Sequence, residues 1–399
     1  MTSKALILHG PKDLRLETRQ PPNPGPHEVQ VAIKSTGLCG SDLHYYAQGR
    51  NGDFVVREPM ALGHESSGTV TGVGADVSTL TRGDRVALEV GLPCRACLRC
   101  RTGRYNICPA LRFRSSAKTF PHADGTLMQV TTHPAEMCHK LPADTTYAAG
   151  ALVEPLAVCL HAIRRSRVPA REEVDLGNEL GEPVAALVFG AGAIGLLLAA
   201  ALATGEEGRF ATVVVADIEP ARLQIAERLG LGIKTALIPK SNPDPANPPP
   251  RPEAPHCEHV AHALQNAQRV AAGLKEENGV VAGFSRVYDC TGVPACVQAG
   301  IYAAAAGGVL VQIGMGNPVQ TLPVGAAALR EVDVIGVFRY DGHAYPAAVD
   351  LLASGKFGRV EELVVTHRVR LEDGERAFAL AGKGVDEDGK TVVKVVIES

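Results

Sequence analysis

The stretch Val184-Ala185-Ala186-Leu187-Val188-Phe189-Gly190-Ala191-Gly192-Ala193-Ile194-Gly195 decides the fold. Its apolar run has the length of a buried strand, and an Ala/Leu-rich helical pattern follows it as far as Ala203. Between the two, Gly190 permits a sharp turn, Gly192 lets backbone approach a pyrophosphate, and Gly195 lets helix and strand pack closely. Amides of the first helical turn, which contains Ile194, then face the diphosphate charge. A GxGxxG spacing alone is a weak signal, but the next strand, Val213-Val214-Val215-Ala216, ends on Asp217. A carboxylate there accepts hydrogen bonds from adenosine ribose hydroxyls and repels a ribose phosphate, which favours NAD over NADP. Arg222 works the other way if it reaches the ribose edge, and Asp217 can also serve as an N-cap before Glu219-Pro220-Ala221.

Outward from this unit, strand and helix alternate: helix Ala221–Leu229, strand Arg286–Asp289, helix Ala295–Ala304 and strand Val309–Ile313. Such alternation indicates a parallel sheet covered by helices, spanning residues 159–317. Residues 1–158 differ, with short Val-rich runs at Glu28–Ile33, Gly68–Val73 and Asp84–Leu88 separated by Pro, Gly and Asp, the pattern of an antiparallel, barrel-like body. Residues 318–399 return to short strands around a helix at Tyr345–Ser354, and the closing run Thr391–Ile397 is expected to rejoin the first section. The expected class is therefore α/β, with a nucleotide-binding domain inserted into a discontinuous second domain. The Pro-rich stretch 239–255 cannot form a helix or a central strand and reads as an exposed loop, with a prolyl-rich recognition segment as the alternative.

Composition excludes several classes. The 40 basic and 43 acidic side chains are spread along 399 residues, which argues against a polyanion-binding surface or a polybasic membrane anchor. Aromatics are only 4%, too few for a row of rings stacking on single-stranded nucleic acid. Charge or proline interrupts the apolar stretches, the start is too short for a signal-peptide core, and a cytoplasmic compartment is expected.

Ten cysteines include Cys94-x-x-Cys97-x-x-Cys100 and Cys108. Four soft ligands in the tight loop 94–108 favour a closed, tetrahedral, structural zinc, with iron–sulfur ligation as the competitor. A second set is scattered: Cys39, the pair His64-Glu65, and Glu154. One thiolate, one imidazole and carboxylates suffice for a catalytic zinc with an open position, but spacing alone equally allows a buried thiol and an ordinary His–Glu pair.

These residues carry a resemblance that runs nearly end to end. The motifs Cys39-Gly40-Ser41-Asp42-Leu43-His44-Tyr45, Gly63-His64-Glu65, Gly103-Arg104-Tyr105-Asn106-Ile107-Cys108, Leu152-Val153-Glu154-Pro155-Leu156 and Arg330–Tyr340 resemble the zinc-containing medium-chain dehydrogenase/reductase superfamily, in its sorbitol/xylitol/L-arabinitol branch. The resemblance implies a GroES-like catalytic domain and a Rossmann domain, two zinc ions per subunit, NAD and a homotetramer. It implies catalytic zinc on Cys39, His64 and Glu65, with Glu154 bridged through water or replacing a ligand. It puts Ser41 and His44 on a proton path, Tyr45, Phe113, Arg339 and Tyr340 in the substrate cleft, and Ile313, Phe338 and Arg339 beside the cofactor. For Phe113, plain core packing is the equal alternative, whereas Arg339 within an apolar strand needs a partner. Glu154 stands where ethanol-type enzymes of the superfamily carry a Cys, a departure shared with the polyol branch.

The implied reaction is oxidation of a secondary alcohol of a straight-chain polyol to a ketose, and its reverse. Two readings compete: a zinc dehydrogenase of the same superfamily acting on a butanediol-like, threonine-like or secondary-metabolite alcohol, and a noncatalytic NAD-binding structural protein. No nucleic-acid or membrane partner is expected.

Overall fold

The computed structural model describes residues 2–204, 210–240 and 248–399. They form two compact units, Met1–Ala157 with Arg339–Ser399, and Val158–Phe338. The first junction lies at 157/158, where the sequence reading expects 158/159. The second lies at 338/339, beyond the expected 317/318, because Asp333–Gly336 pairs in parallel with Ala304–Gln312 as a further strand of the nucleotide-binding sheet.

That sheet has six strands in the order Lys234–Leu237, Thr212–Asp217, Ala185–Phe189, Phe284–Asp289, Ala304–Gln312 and Asp333–Gly336. All are parallel, and Ala185–Phe189 is completely buried, as a strand covered on both faces must be. The order reverses direction beside Ala185–Phe189, so the turn at Gly190 opens at a topological switch point, where doubly wound sheets bind their ligands. Two of the longer helices of this unit have no counterpart in the sequence reading. Arg171–Leu180 lies in the polar connection before Pro183 and ends on Gly181 in the left-handed conformation. His256–Asn278, 23 residues long, buries only Ala267, Ala271 and Leu274 fully, so its apolar stripe is small side chains among His, Gln and Glu. In the Pro-rich stretch, residues 239–240 and 248–255 contain no helix or strand, as expected, and 241–247 lie outside the described residues.

In the other unit, the strand Glu28–Gly37 is the organiser. It pairs antiparallel with Glu65–Val73, with Val130–Pro134 and with the C-terminal Lys394–Glu398, so the last strand joins the sheet built by residues 28–140. That sheet has seven strands, and Ser3–Gly10, Asp13–Arg19 and Met60–Ala61 form a second, three-stranded one. Leu6, Leu8, Tyr45, Met60, Leu62, Phe378 and Ile397 fill the core beside them. No helix among the described residues is long and apolar enough to cross a membrane.

Candidate metal and dinucleotide sites

In the loop 94–108 the four sulfurs lie within 4.8 Å of one another, with Cys97 to Cys100 and Cys108 to Cys94 both at 3.5 Å. Backbone amides of Cys97 and Ala96 donate to Cys94 and pull its thiol down to about 6, which favours the thiolate that a metal needs. Burial and the neighbouring thiols push Cys100 up to about 12, the mark of a thiol that ionises only against a cation. Four sulfur ligands complete a tetrahedral coordination and leave no open position, which suits a structural zinc.

The second group is assembled from distant parts of the chain. Cys39 precedes the helix Gly40–Gln48, and His64 and Glu65 stand where Glu65–Val73 begins. Ligand atoms of the three residues fall within 4.8 Å of one another. Asp42 joins the two segments, for it is fully buried and its carboxylate accepts from Cys39 N at 3.1 Å, Gly63 N at 3.1 Å and Ser115 Oγ at 2.8 Å. The same carboxylate is 3.4 Å from His64 Nδ1. Burial works against charge on His64, yet the Asp42 carboxylate, with Cys39 acting in the same direction, raises its pKa well above the ordinary value.

Glu65 is held from the other side. Lys394 Nζ lies 2.8 and 2.7 Å from its two carboxylate oxygens and donates also to Leu38 O at 3.0 Å. The two side chains are all but inaccessible, and a Cβ on Gly37 would stand 2.2 Å from Glu65 Oε2, so only glycine leaves space for the carboxylate. Neither Asp42 nor Lys394 received a role from sequence. The signals were present: Asp42 stands three residues after Cys39 at a helix start, a capping spacing, and Lys394 is a lone cation in the apolar run Val392–Ile397.

Glu154 is buried in the first turn of Val153–Arg165 but is not one of the three residues whose ligand atoms cluster. Burial pushes its carboxyl up to about 7, with Glu65 acting in the same direction and His64 in the opposite one. A cation nearby would restore its charge.

Phe113 meets the His64 ring edge-on at 5.6 Å between centroids, and the Arg339 guanidinium lies 3.7 Å from the Phe113 centroid. Tyr340 is buried, and its hydroxyl has no hydrogen-bond partner among the described residues. Tyr45 sits in the core with its hydroxyl accepting from Ala117 N at 3.1 Å, leaving one proton to donate. Ser41 is half-buried and His44 exposed, three residues apart and so neighbours on the surface of their helix.

In the Val158–Phe338 unit, Gly190 has φ +95°, and a Cβ on Gly195 would be 1.7 Å from Gly190 O. At Gly192 the nearest atom to such a Cβ is Arg222 Nη1 at 3.8 Å, so the turn is open on the side a diphosphate needs. Asp217 ends its strand as expected and accepts from Ala191 N at 2.6 Å and Glu219 N at 2.8 Å. Ile194 lies at the start of Ala193–Thr204, Ile313 follows the strand ending at Gln312, and Phe338 closes the unit, partly exposed.

Residues 25–143 match the alcohol dehydrogenase GroES-like domain, and 257–354 the zinc-binding dehydrogenase family. Sorbitol dehydrogenase of Bos taurus is 42% identical over 383 residues, 96% of this chain and 93% of that protein. The sorbitol dehydrogenase of Homo sapiens is 41% identical over 382 residues, with 96% and 93% covered. Among solved structures, L-idonate 5-dehydrogenase of Escherichia coli aligns with a TM-score of 0.77 at 28% identity, covering 100% of this chain and 99% of that one. The 2R,3R-butanediol dehydrogenase of Bacillus subtilis gives 0.77 at 27% over the same shares. With likeness of this extent, the chain belongs to the zinc-containing medium-chain dehydrogenases, in the branch that holds the sorbitol dehydrogenases, and is an oxidoreductase acting on CH–OH groups.

Proposed function

We propose that the protein oxidises a secondary alcohol of a straight-chain polyol, such as sorbitol, xylitol or L-arabinitol, to the ketose, with NAD as acceptor, and catalyses the reverse reduction. The observation that carries this reading is the convergence of Cys39, His64 and Glu65 beside Phe113, with Arg339 lying over the Phe113 ring. When bound, zinc supplies a Lewis acid for the reacting hydroxyl and NAD supplies the hydride acceptor. Asp42 orients His64 and draws the Cys39 segment to it, so the donor set is preorganised. Arg339, Tyr45 and the unpartnered hydroxyl of Tyr340 hold hydroxyls away from the reacting carbon, and leaving such groups unpaired penalises a simple alcohol. Ser41 and His44 carry the proton outward along their helix face. Glu154, outside the ligand cluster, acts through water rather than as a permanent ligand.

In the nucleotide unit, the open turn at Gly192 takes the diphosphate and Asp217 the adenosine ribose, with Ile194, Ile313 and Phe338 in the cofactor's surroundings. The edge strand Asp333–Gly336 has a neighbour on one side only among the described residues, and Val334 and Leu329 beside it are exposed. A second copy of the chain fits that edge, and we place the protein as a homotetramer in the cytoplasm, where reducing conditions keep the zinc-binding thiols available.

A panel of sorbitol, xylitol, L-arabinitol, 2,3-butanediol and L-threonine, run with NAD and NADP on protein of measured zinc content, tests this reading. Polyols with NAD should give the highest kcat/KM. Preference for butanediol, the substrate named for the Bacillus subtilis structure, would move the protein to the rival reading.

A further inference from the structure

Glu89 follows the strand Arg85–Leu88 and is a buried carboxylate with both oxygens engaged. One accepts from the Tyr105 hydroxyl, and the other meets His139 Nε2 at 2.7 Å. Tyr105 belongs to the cysteine loop, three residues before Cys108. One residue before Glu89, Leu88 O accepts from the Tyr345 hydroxyl at 2.6 Å, and the Tyr345 ring packs on His139 and on Tyr340 with centroids 4.9 and 5.4 Å apart.

A second tether runs parallel to the first. Gly342 N donates to Gly103 O at 3.2 Å, and a Cβ at Gly342 would stand 3.7 Å from the Tyr105 ring. The loop supports the other half of the Arg339 contact as well, since Arg112–Phe113, just after Cys108, pairs with Gly91–Leu92, just before Cys94. Arg339 itself has φ +55°, a conformation that a residue with a side chain keeps only where its surroundings hold it.

We infer that Tyr105 and Glu89 are positioning residues through which the four-cysteine loop holds the Arg339–His343 segment, so that this loop sets affinity for the polyol and not only stability. The inference rests on the proposed reading of Arg339 and Tyr340 as substrate contacts. None of these residues touches the reacting carbon, so the loss should fall on substrate binding and spare the chemical step.

Tyr105→Phe keeps the ring and removes one buried hydrogen bond. It should raise polyol KM, and the calorimetric Kd of polyol for the enzyme–NADH complex, roughly three- to tenfold, with kcat within about twofold. The KM for NAD and a zinc content of two per chain should not change. His139→Gln, which frees the other Glu89 oxygen, should act in the same direction and serves if Tyr105→Phe folds poorly. Cys97→Ser should also raise polyol KM, and adding Tyr105→Phe to it should raise KM little further, because both changes act on one support. Unchanged polyol KM and Kd in zinc-replete Tyr105→Phe and His139→Gln overturns the inference. Arg339→Gln separates the two layers: if it leaves polyol KM unchanged, the substrate reading fails, whereas a raised KM there with unaltered Tyr105→Phe removes this inference alone.

Discussion

Lys394 and Glu65 form a two-pronged ion pair inside the protein, Nζ standing 2.8 and 2.7 Å from the carboxylate oxygens, with the lysine 5% and the glutamate 2% accessible. Burial disfavours the lysine's charge, but the Glu65 carboxylate, with Cys39 acting in the same direction, raises its pKa above the ordinary value. The carboxylate that belongs to the metal-ligand cluster is thus already neutralised by a cation of the chain. A metal bound there would compete with the lysine for the same charge.

Lys394→Met tests that competition. Without metal the variant leaves a buried carboxylate unpaired, a defect of about 3–5 kcal/mol in buried pairs. With zinc bound, the metal supplies the missing charge and the defect shrinks. By linkage, the same change must tighten zinc binding, because the metal-free state loses more than the loaded one. We expect the gap in melting temperature between zinc-loaded and chelator-treated protein to widen, and zinc affinity measured against a competing chelator to rise about tenfold or more. A fall in zinc affinity would mean that Lys394 supports the ligand set instead of opposing it.

Cys39→Ser separates metal chemistry from cofactor binding. It replaces a soft thiolate by a poor zinc ligand in the group formed with His64 and Glu65. Turnover should fall by roughly a thousandfold or more, since the Lewis acid is lost. The dissociation constant for NADH, followed by its fluorescence, should stay within about twofold, because Gly190, Gly192 and Asp217 belong to the other unit. Wild-type turnover from purified protein with no zinc at this site would refute the proposed chemistry.

What could be read from sequence depended on how far apart the interacting residues lie. The turn Gly190–Gly195 and the loop Cys94–Cys108 are local, so spacing was enough to suggest a dinucleotide and a four-thiolate metal, and the structure gathers both sets of residues. Cys39, His64 and Glu65 come together only through the pairing of Glu28–Gly37 with Glu65–Val73 and the carboxylate of Asp42, and resemblance was needed to group them. Lys394 lies 329 positions from Glu65, beyond any periodicity argument. The boundary at Phe338 was missed because Asp333–Gly336 is a short edge strand with exposed side chains, which lacks the apolar run of a central parallel strand.

His133 makes stability depend on acid. Its ring is fully buried, with Nε2–H donating to Glu89 O at 3.0 Å and Nδ1 accepting from Arg114 Nη1 at 3.4 Å, an arrangement of the neutral tautomer. Burial, helped by the Arg114 charge, lowers its pKa from 6.5 to about 3. The unfolded chain therefore binds a proton that the folded chain refuses. This stability is complete above the unfolded value of 6.5 and is lost as pH falls toward 3, at up to about 1.4 kcal/mol per pH unit. Denaturant unfolding between pH 7 and 4 should show a flatter profile for His133→Gln than for the wild type. Loss of zinc at low pH affects both proteins alike, so the difference between the curves isolates the histidine, and parallel curves would discount it.

Asp217 holds the turn, in the proposed reading it also holds the adenosine ribose, and the two roles can be parted. Its oxygens accept from Ala191 N and Glu219 N, so a hydrogen-bonding side chain is needed whatever nucleotide binds. Asp217→Asn keeps an acceptor for one of these amides but removes the charge that should repel a ribose phosphate. Arg222, whose Nη1 lies near the Gly192 turn, then remains as the nearby cation. We expect kcat/KM with NADP to rise and that with NAD to fall, moving their ratio by roughly a hundredfold, the scale of removing one close like-charge contact. Asp217→Ala, which also strips the amides of their acceptor, should weaken both nucleotides and lower the melting temperature. If Asp217→Asn leaves the ratio where it was, the turn is the whole of this residue's work, and selection between NAD and NADP lies with Arg222 or another neighbour.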